Sequence, residues 1–394
     1  MVVLEKCPDY NSDNVYMAVK KAIDRLGGIN KYVKQGMKVL IKPNLVMKKS
    51  PDEAATTHPS VVEAVARIVS EAGGNAIIAD NPGGIITEKV LKGIYSVCGM
   101  KSAAEKSGAQ LNYDLEEAEL QFPGGKYLKK VIVSRPFAEA DIIINVPKLK
   151  SHGQMVYTGA VKNMFGAVPG VLKAEYHFRM QEHKDFANAL IDIFLSTKPS
   201  LNIMDAVVGM DGHGPTAGDP KPIGLILAGE NAFELDYTAL NVIGVSPFDV
   251  PIIREAVERK LCPSSIEDIS IEGVDPDSVR IHGFKIPHLG ALRTIRFFDN
   301  RAFNMISKAL RPSPVFIHGK CIGCGECAKN CPAKIIEMID RKPVFDISKC
   351  IRCFCCQELC PVKAVTSKKS IFTYIKDFQI KCRKKFCKKK DFSS

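Results

Sequence analysis

Short apolar runs alternate with helical patterns through the first two thirds of the chain. The runs cover residues 37–41, 75–79, 140–146, 201–204 and 223–228, and each ends at polar or turn-forming residues. Between several of them, apolar residues recur at helical spacing, as in 183–195 and 233–243. Apolar strands that alternate with amphipathic helices are typical of α/β domains, whose sheets are covered on both faces. The sequence therefore predicts an α/β fold with a largely parallel sheet.

One predicted helix has clear signals at both ends. Ser60 is followed three residues later by Glu63, which is the spacing of a capping box. Gly73 and Gly74 supply the stop signal. The pattern predicts that this helix begins at Ser60 and ends before the two glycines.

The composition is that of a globular protein. The chain has 394 residues, of which 46% are hydrophobic and 25% charged, and this excludes wholesale disorder and a mostly membrane-embedded protein. No apolar run reaches the roughly 18 residues that a spanning helix needs. The N-terminal residues lack the apolar core of a secretory signal. We expect no membrane span and a cytoplasmic location.

The positive charge is concentrated at the C-terminus. Residues 366–394 contain ten Lys or Arg and two Asp, and so carry +8 of the formal net charge of +12. Such a tail can bind nucleic acid through phosphates, but a solvated extension is the more common case. Nucleic acid is therefore not an expected partner, and we expect no fixed structure at least from residue 381.

Cysteine is concentrated in one short region. Nine of the 14 cysteines lie between residues 321 and 360, and in a chain without a secretory signal this indicates metal ligation rather than disulfides. Eight of them form two runs with the same spacing, C-x2-C-x2-C-x3-C-P, offset by 29 residues. The runs are Cys321, Cys324, Cys327, Cys331 and Cys350, Cys353, Cys356, Cys360.

This spacing predicts two [4Fe–4S] clusters. In two-cluster ferredoxins the fourth cysteine of each run ligates the other cluster. One cluster is therefore expected on Cys321, Cys324, Cys327 and Cys360, and the other on Cys350, Cys353, Cys356 and Cys331. The module resembles the bacterial-type dicluster ferredoxin, whereas a zinc ribbon would not need the x3-Cys-Pro element. Cys355 has no ligand role in the pattern and is interpreted as a packed thiol beside the cluster.

Polar residues follow the apolar runs of the α/β region. In open α/β sheets, ligands bind beyond the carboxyl ends of the strands. Lysines there suit a carboxylate or phosphate, and Asp with His suits proton transfer or a metal. The predicted catalytic residues are His152, His213, Lys148 and Asp211, and the predicted substrate-binding residues are Lys42, Asn44, Asp80, Lys162, Asn163 and Asp205.

Other features of the α/β region carry weaker signals. Neither G-x-G-x-x-G nor G-x-x-x-x-G-K-[ST] is present, so the usual nucleotide-binding fingerprints are missing. The glycine-rich segment 212–218 would suit an anion, although such loops are more often plain turns. His177 and His183 have no partnered spacing and are interpreted as satisfied or exposed histidines.

Five segments carry a family resemblance. They are IKPNL (41–45), THP (57–59), VPKLKSH (146–152), GAVKNMFG (159–166) and GxGPxAG (212–218). Together they resemble the signature stretches of the family called domain of unknown function 362, over roughly residues 1–260. Members of that family are often fused to a dicluster ferredoxin. The resemblance implies a domain and a site location but no particular reaction.

These observations divide the chain and give two functional hypotheses. The division is an α/β domain (1–286), a connecting segment (287–314), a ferredoxin domain (315–366) and a basic tail (367–394). The first hypothesis is an iron–sulfur oxidoreductase that passes electrons between the clusters and a small anionic substrate in the α/β cleft. Its partner would be a redox protein or a small electron donor or acceptor. The alternative is a non-enzymatic electron carrier, or a scaffold that transfers clusters or metal.

Overall fold

A ten-stranded sheet forms the centre of the α/β domain. The structure is a computed structural model that describes residues 1–287 and 312–368. The strands of the domain are β1 (Val2–Lys6), β2 (Lys38–Pro43), β3 (Asn75–Ile78), β4 (Gln110–Leu111), β5 (Glu117–Gln121), β6 (Lys130–Ser134), β7 (Ile142–Val146), β8 (Lys148–His152), β9 (Val156–Thr158), β10 (Leu201–Asp211), β11 (Asp219–Gly229) and β12 (Ile271–Gly273). All of these except β5 and β6, which form a separate hairpin, belong to the large sheet.

The helices of this domain cover both faces of the sheet. They are α1 (Ser12–Arg25), α2 (Pro59–Glu71), α3 (Glu88–Val97), α4 (Met100–Ser107), α5 (Arg135–Glu139), α6 (Ala160–Asn163), α7 (Gly170–Arg179), α8 (His183–Thr197), α9 (Ala232–Val242) and α10 (Pro251–Glu258). Two large clusters of buried apolar side chains result, one containing residues of α1 and α2 and the other residues of α8 and α9.

The sheet is mixed but mostly parallel. Its main order is β12-β1-β11-β10-β7-β2-β3-β4, and β8 with β9 extends it beside β10. The pairs from β10 through β7, β2 and β3 to β4 are parallel, while β11 is antiparallel to both β10 and β1. The predicted α/β class is confirmed.

The predicted strands are found, but two of them are longer than predicted. The run 223–228 is part of β11 (Asp219–Gly229), and β10 differs most. The run 201–204 was expected to end at Asp205, but β10 continues to Asp211. It continues because β8 pairs beside it, with Asp205 opposite Lys148. The charge of Asp205 does not stop the strand, because Lys148 neutralises it inside the fold.

The predicted capping box of α2 is wrong. The helix begins at Pro59, and the side chain of His58 accepts a hydrogen bond from the backbone N–H of Ser60 at 3.2 Å. Proline is well placed in the first turn because its missing N–H would have no partner there. Glu63 instead accepts a hydrogen bond from the Ser12 hydroxyl of α1.

The cysteine-rich module repeats its backbone as well as its sequence. It contains β13 (Ser313–Phe316) paired with β16 (Val365–Lys368), β14 (Ile336–Ile339) paired with β15 (Lys342–Phe345), and the helical turns Glu326–Lys329 and Cys355–Glu358. Positive φ angles recur at the same offset of 29 residues: Gly323 and Arg352, Gly325 and Phe354, Lys334 and Lys363. The β13–β16 ladder reaches slightly beyond the predicted limits 315 and 366.

Phe354 in the second repeat has a strained backbone conformation. Its φ is +62°, where the first repeat has a glycine, and a bulky residue adopts such an angle only when its surroundings enforce it. The ring is buried and packs close to Gly153 of the α/β domain. The strained backbone at Phe354 therefore occurs where its ring packs against the α/β domain.

Polar contacts join the second repeat to the α/β domain. The Thr216 hydroxyl donates to the carbonyl of Glu358 at 2.9 Å, and the Gln357 amide donates to the carbonyl of His213 at 3.4 Å. Lys363 also pairs with Glu53 at 3.7 Å. Most of the predicted connecting segment (287–314) and nearly all of the predicted tail (367–394) lie outside the described residues.

Candidate active site at the domain interface

A cavity of about 450 Å³ lies between the α/β domain and the ferredoxin module, whose first repeat contributes Lys329, Asn330, Pro332 and Lys334 to the wall. Its α/β wall comes from the ends of β2 and β3, from β8, and from α6 and α7, while the ferredoxin wall includes Cys355, Glu358 and Leu359. This is the edge of the sheet where ligands of open α/β folds bind. Neither domain alone encloses the cavity.

The structure brings some of the predicted site residues together and separates others. The residues on the cavity wall are Lys42, Asn44, Asp80, His152, Lys162 and Asn163. Lys148, Asp205, Asp211 and His213 are not part of that wall.

Lys42 is fully engaged inside the protein. Its ammonium lies 2.7 Å from an Asp80 carboxylate oxygen, donates to the carbonyl of Pro43 at 2.7 Å, and reaches the Asn163 side-chain oxygen at 3.2 Å. A Cβ at Gly166 would lie 2.5 Å from Lys42 Nζ, so glycine is needed for this close approach. Lys42 therefore shapes the cavity floor and has no N–H left for a ligand.

Lys148 and Asp205 form a buried ion pair behind the cavity. Their charged groups are 2.8 Å apart, and both are almost completely buried. The Tyr10 hydroxyl lies 2.7 Å from Lys148 Nζ and donates to Asp205 at 2.8 Å, while the backbone N–H of His58 donates to Asp205 at 2.8 Å. Such complete pairing indicates a structural role.

Asp211 and His213 lie near the docked ferredoxin module rather than in the cavity. The Asp211 carboxylate accepts from the backbone N–H of Lys285 at 3.2 Å, and the His213 side chain is exposed. The segment 212–218 contacts the second repeat through Thr216. Among the described residues, no group of three or more His, Cys, Asp and Glu side chains is arranged to hold a single metal ion.

Asp236 fixes the position of Lys162 by binding the start of α6. That carboxylate, on α9, accepts from the backbone N–H groups of Ala160 at 2.7 Å and Val161 at 3.1 Å, at the start of α6. Burial raises the pKa of Asp236 to about 7. The short helix α6 is thus anchored on its inner side, and Lys162 lies on the cavity wall.

Several polar groups on the wall lack a partner within the protein. Lys162 is 9% exposed, and within residues 1–287 and 312–368 its ammonium makes no hydrogen bond or ion pair. In the same part of the chain, four buried wall atoms have no hydrogen-bond partner. One of them, Asp80 Oδ1, is ion-paired with Lys42, which leaves His152 Nε2, Thr158 Oγ1 and His177 Nδ1. Buried polar groups are normally hydrogen-bonded, so these atoms are placed to meet a polar ligand.

The hydrogen bonds of His152 define its tautomer. Its Nδ1 accepts from the backbone N–H groups of Gln154 at 3.1 Å and Met155 at 3.2 Å, so Nδ1 carries no proton. Burial first, and then Lys162 and Lys150, hold the pKa of His152 well below its usual value. The ring is therefore neutral, with its proton on Nε2. His152 presents an N–H donor at Nε2, which lies 3.9 Å from a Glu358 carboxylate oxygen. Its predicted role in proton transfer would need a ring nitrogen that is free to accept a proton, and Nδ1 is already occupied by two N–H donors.

The cavity lysines are less basic than lysines in water. Burial lowers the pKa of Lys150 to about 7 and that of Lys173 to about 8, and it also lowers the pKa of Lys162. Burial likewise lowers the pKa of His177 to about 3. Part of the positive charge of this site is therefore adjustable near neutral pH.

We expect Lys150 to make the stability of the protein depend on pH. Its pKa is about 7 in the folded chain and about 10.5 in its ordinary state, so between these values the unfolded chain binds more protons. The free energy of unfolding should therefore rise from pH 7 to pH 9. Lys150→Met should reduce this rise, as measured by urea denaturation of the anaerobic holoprotein. An identical rise in the variant would contradict the lowered pKa.

Sequence reasoning missed several wall residues. Lys150 shares the two-residue period of Lys148 and His152 along β8, which was an available signal. Lys173 and His177 are four apart on α7 and share one helix face, yet His177 was interpreted as satisfied or exposed. Cys355 and Glu358 could not be placed without knowing how the domains dock.

The eight cysteines of the two repeated runs lie in two groups of four. One small apolar cavity is lined by Cys321, Cys324, Cys327 and Cys360, and a second by Cys331, Cys350, Cys353 and Cys356. These groups match the predicted ligand sets. Backbone N–H groups donate to sulfur at Cys360 (3.2 Å) and Cys350 (3.4 Å), and such bonds tune iron–sulfur clusters. The donor set therefore fits [4Fe–4S] ligation, and Cys355 lies instead on the wall of the large cavity.

Two parts of the chain match known protein families. Residues 39–241, more than half of the chain, match the family described as Domain of unknown function (DUF362), and residues 320–364 match the 4Fe-4S dicluster domain. The Thylakoid-associated protein sll1697 of Synechocystis sp. is 31% identical over 298 residues, which make up 73% of this chain and 88% of that protein. Among the described residues, no helix is long and apolar enough to cross a membrane.

A solved structure also aligns in part. The lactate racemase apoprotein from Thermoanaerobacterium thermosaccharolyticum has a TM-score of 0.35 and 15% identity, over 58% of this chain and 54% of that one. The chain thus spans about half the length of that protein.

Proposed function

The chain belongs to the DUF362 family and is an iron–sulfur protein, and we propose that it is an oxidoreductase acting on a small anion in the interface cavity. Two clusters, on the two groups of four cysteines, would each carry one electron at a time. A one-electron carrier protein would exchange electrons with the module. We take residues 1–286 and 315–366 as the two domains and the cytoplasm as the compartment.

The observation that carries this proposal is the wall shared by the cavity and the second repeat. Cys355 lines the cavity, while its neighbours Cys353 and Cys356 line the second cysteine group. A molecule in the cavity would therefore sit beside the second group, with the lysines of the α/β domain around it. An electron carrier alone has no need of this enclosed space.

The unpartnered groups support an anion as the ligand. Lys162 offers an ammonium, and His152 offers a neutral N–H donor that needs no rearrangement to bind an oxygen. Thr158 adds a hydroxyl that can donate or accept. A carboxylate, or a carbonyl that gains negative charge during reduction, would be stabilised by donors fixed in this way.

Lys162→Met should weaken anion binding strongly. A hydrogen bond to a charged group contributes about 1.5–3 kcal/mol, so we expect the affinity for oxalate, used as a small dianion, to fall roughly 10- to 100-fold. Calorimetry on the anaerobic holoprotein measures this, with exposed Lys101→Met as the matched control. Equal affinities of the two variants for oxalate would show that Lys162 does not bind the anion.

The reaction is tested by identifying what occupies the cavity in cells. The protein is purified anaerobically, and co-purifying small molecules are identified by mass spectrometry. The dithionite-reduced protein is then mixed with the compound found, and reoxidation of the clusters is followed by absorbance. Faster reoxidation supports the oxidoreductase. A rate that no compound and no cavity variant changes would favour the electron carrier or scaffold.

A further inference from the structure

Lys150 differs from the other cavity lysines in how its ammonium is bonded. Its Nζ donates to the side-chain oxygen of Asn44 at 2.8 Å and to the carbonyl of Ala55 at 2.7 Å. The side chain is 1% exposed and lines the cavity two residues before His152 on β8. It thus has two acceptors within the protein, whereas Lys42 has three partners.

Two acceptors suit both protonation states of the amine. A neutral amine has two N–H bonds, which Asn44 and Ala55 accept, and a free lone pair remains. The ammonium has a third N–H bond in the position of that lone pair. Lys150 can therefore gain or lose a proton without leaving any of its internal hydrogen bonds unmade. Lys42 would lose one of its three interactions on deprotonation.

Burial has the largest effect on the pKa of Lys150 and lowers it to about 7. Glu358 of the ferredoxin repeat and Asp80 after β3 favour its charged form, while Lys162 of α6 and Lys148 of β8 oppose it. A bound anion would add favourable charge and raise this pKa.

We propose that Lys150 is the proton donor and acceptor of the cavity, and that His152 is only a fixed hydrogen-bond donor. This inference rests on the proposed function and gives the site its acid–base group. In each one-electron step of substrate reduction, the clusters would supply the electron, and the Nζ–H bond of Lys150 would break as a bond between that proton and the substrate forms. The lone pair left on Nζ then takes a proton from water.

Lys173 is the competing group. Its ammonium donates to the carbonyl oxygens of Asn81 and Pro82, so it too has two acceptors. It also lies 5.7 Å from the centre of the Phe165 ring, a contact that favours the charged form. With a pKa of about 8, Lys173 is charged to a larger extent than Lys150 at pH 7.5, which makes Lys173→Arg the matched control.

The test counts the protons taken up when an anion binds. Oxalate is titrated calorimetrically into the anaerobic holoprotein at pH 7.5 in buffers of different ionisation enthalpy, which yields protons per oxalate. Oxalate itself is fully ionised there, so uptake reports on the protein. We expect the wild type and Lys173→Arg to take up a substantial fraction of a proton. Lys150→Arg should bind oxalate with much smaller uptake, because arginine stays charged and Lys173, with a pKa of about 8, is already mostly protonated.

Each outcome decides between the claims. Uptake that is undiminished in Lys150→Arg, or that is absent from the wild type although oxalate binds, overturns the role of Lys150 and leaves the proposed function standing. Uptake that disappears only in Lys173→Arg assigns the role to that residue and overturns the proposal. If oxalate does not bind to the wild type, the anion site fails, and the inference fails with it.

Discussion

Cys353→Ser should remove about half of the iron and sulfide from the protein. A chain with two [4Fe–4S] clusters holds about eight irons and eight sulfides, and loss of one thiolate in the second group should leave that cluster unassembled. Cys353 lines the second cysteine group with Cys331, Cys350 and Cys356. Iron and sulfide analysis of anaerobically prepared protein measures the loss.

Cys355→Ser is the matched control for this change. Cys355 is equally buried and lies two residues away, but it lines the large cavity instead of the cysteine group. Its iron content should equal that of the wild type. If the two variants lose iron equally, or the wild type holds about four irons, the assignment of two clusters is wrong.

Lys148→Met should destabilise the protein by about 3–5 kcal/mol, because removing one partner of a buried ion pair leaves the other charge uncompensated. Asp205 would keep three hydrogen-bond donors, the Tyr10 hydroxyl and the backbone N–H groups of His58 and Val207, but no cation. Urea denaturation measures the change. The exposed pair Lys20–Asp24 provides the control, since Lys20→Met should cost less than about 1 kcal/mol.

The same variant separates a structural from a catalytic role for Lys148. If Lys148→Met unfolds at the same urea concentration as the wild type but fails to reoxidise, Lys148 acts on the substrate, as the sequence alone predicted. The ion pair of 2.8 Å behind the cavity supports the structural role.

The strands and the cysteine repeat could be predicted because their signals are local. An apolar run such as 142–146 identifies a strand buried on both faces, and this prediction does not require knowing which helices cover the strand. The cysteine spacing is similarly set by the shape of a tight loop, and the backbone repeats its positive φ angles at the same offset. These features need no knowledge of distant contacts.

The site was only partly predictable because its second wall comes from another domain. Lys148 and Lys150 share one face of β8, but the neighbouring strand β10 places Asp205 against the first and leaves the second open to the cavity. The register of β8 beside β10 therefore decides which of the two lysines is ion-paired and which lines the cavity. The positions of Cys355 and Glu358 depend on docking of the ferredoxin module, which no local pattern encodes.

Single-turnover reoxidation tests the central claim most directly. Reduced wild type and reduced Lys162→Met are mixed with the anion that co-purifies with the protein, and cluster absorbance is followed in time. At a subsaturating concentration, we expect the variant to reoxidise roughly 10- to 100-fold more slowly, in proportion to its lost affinity, with unchanged iron content. Equal rates in the two proteins would contradict electron transfer to an anion held in the interface cavity.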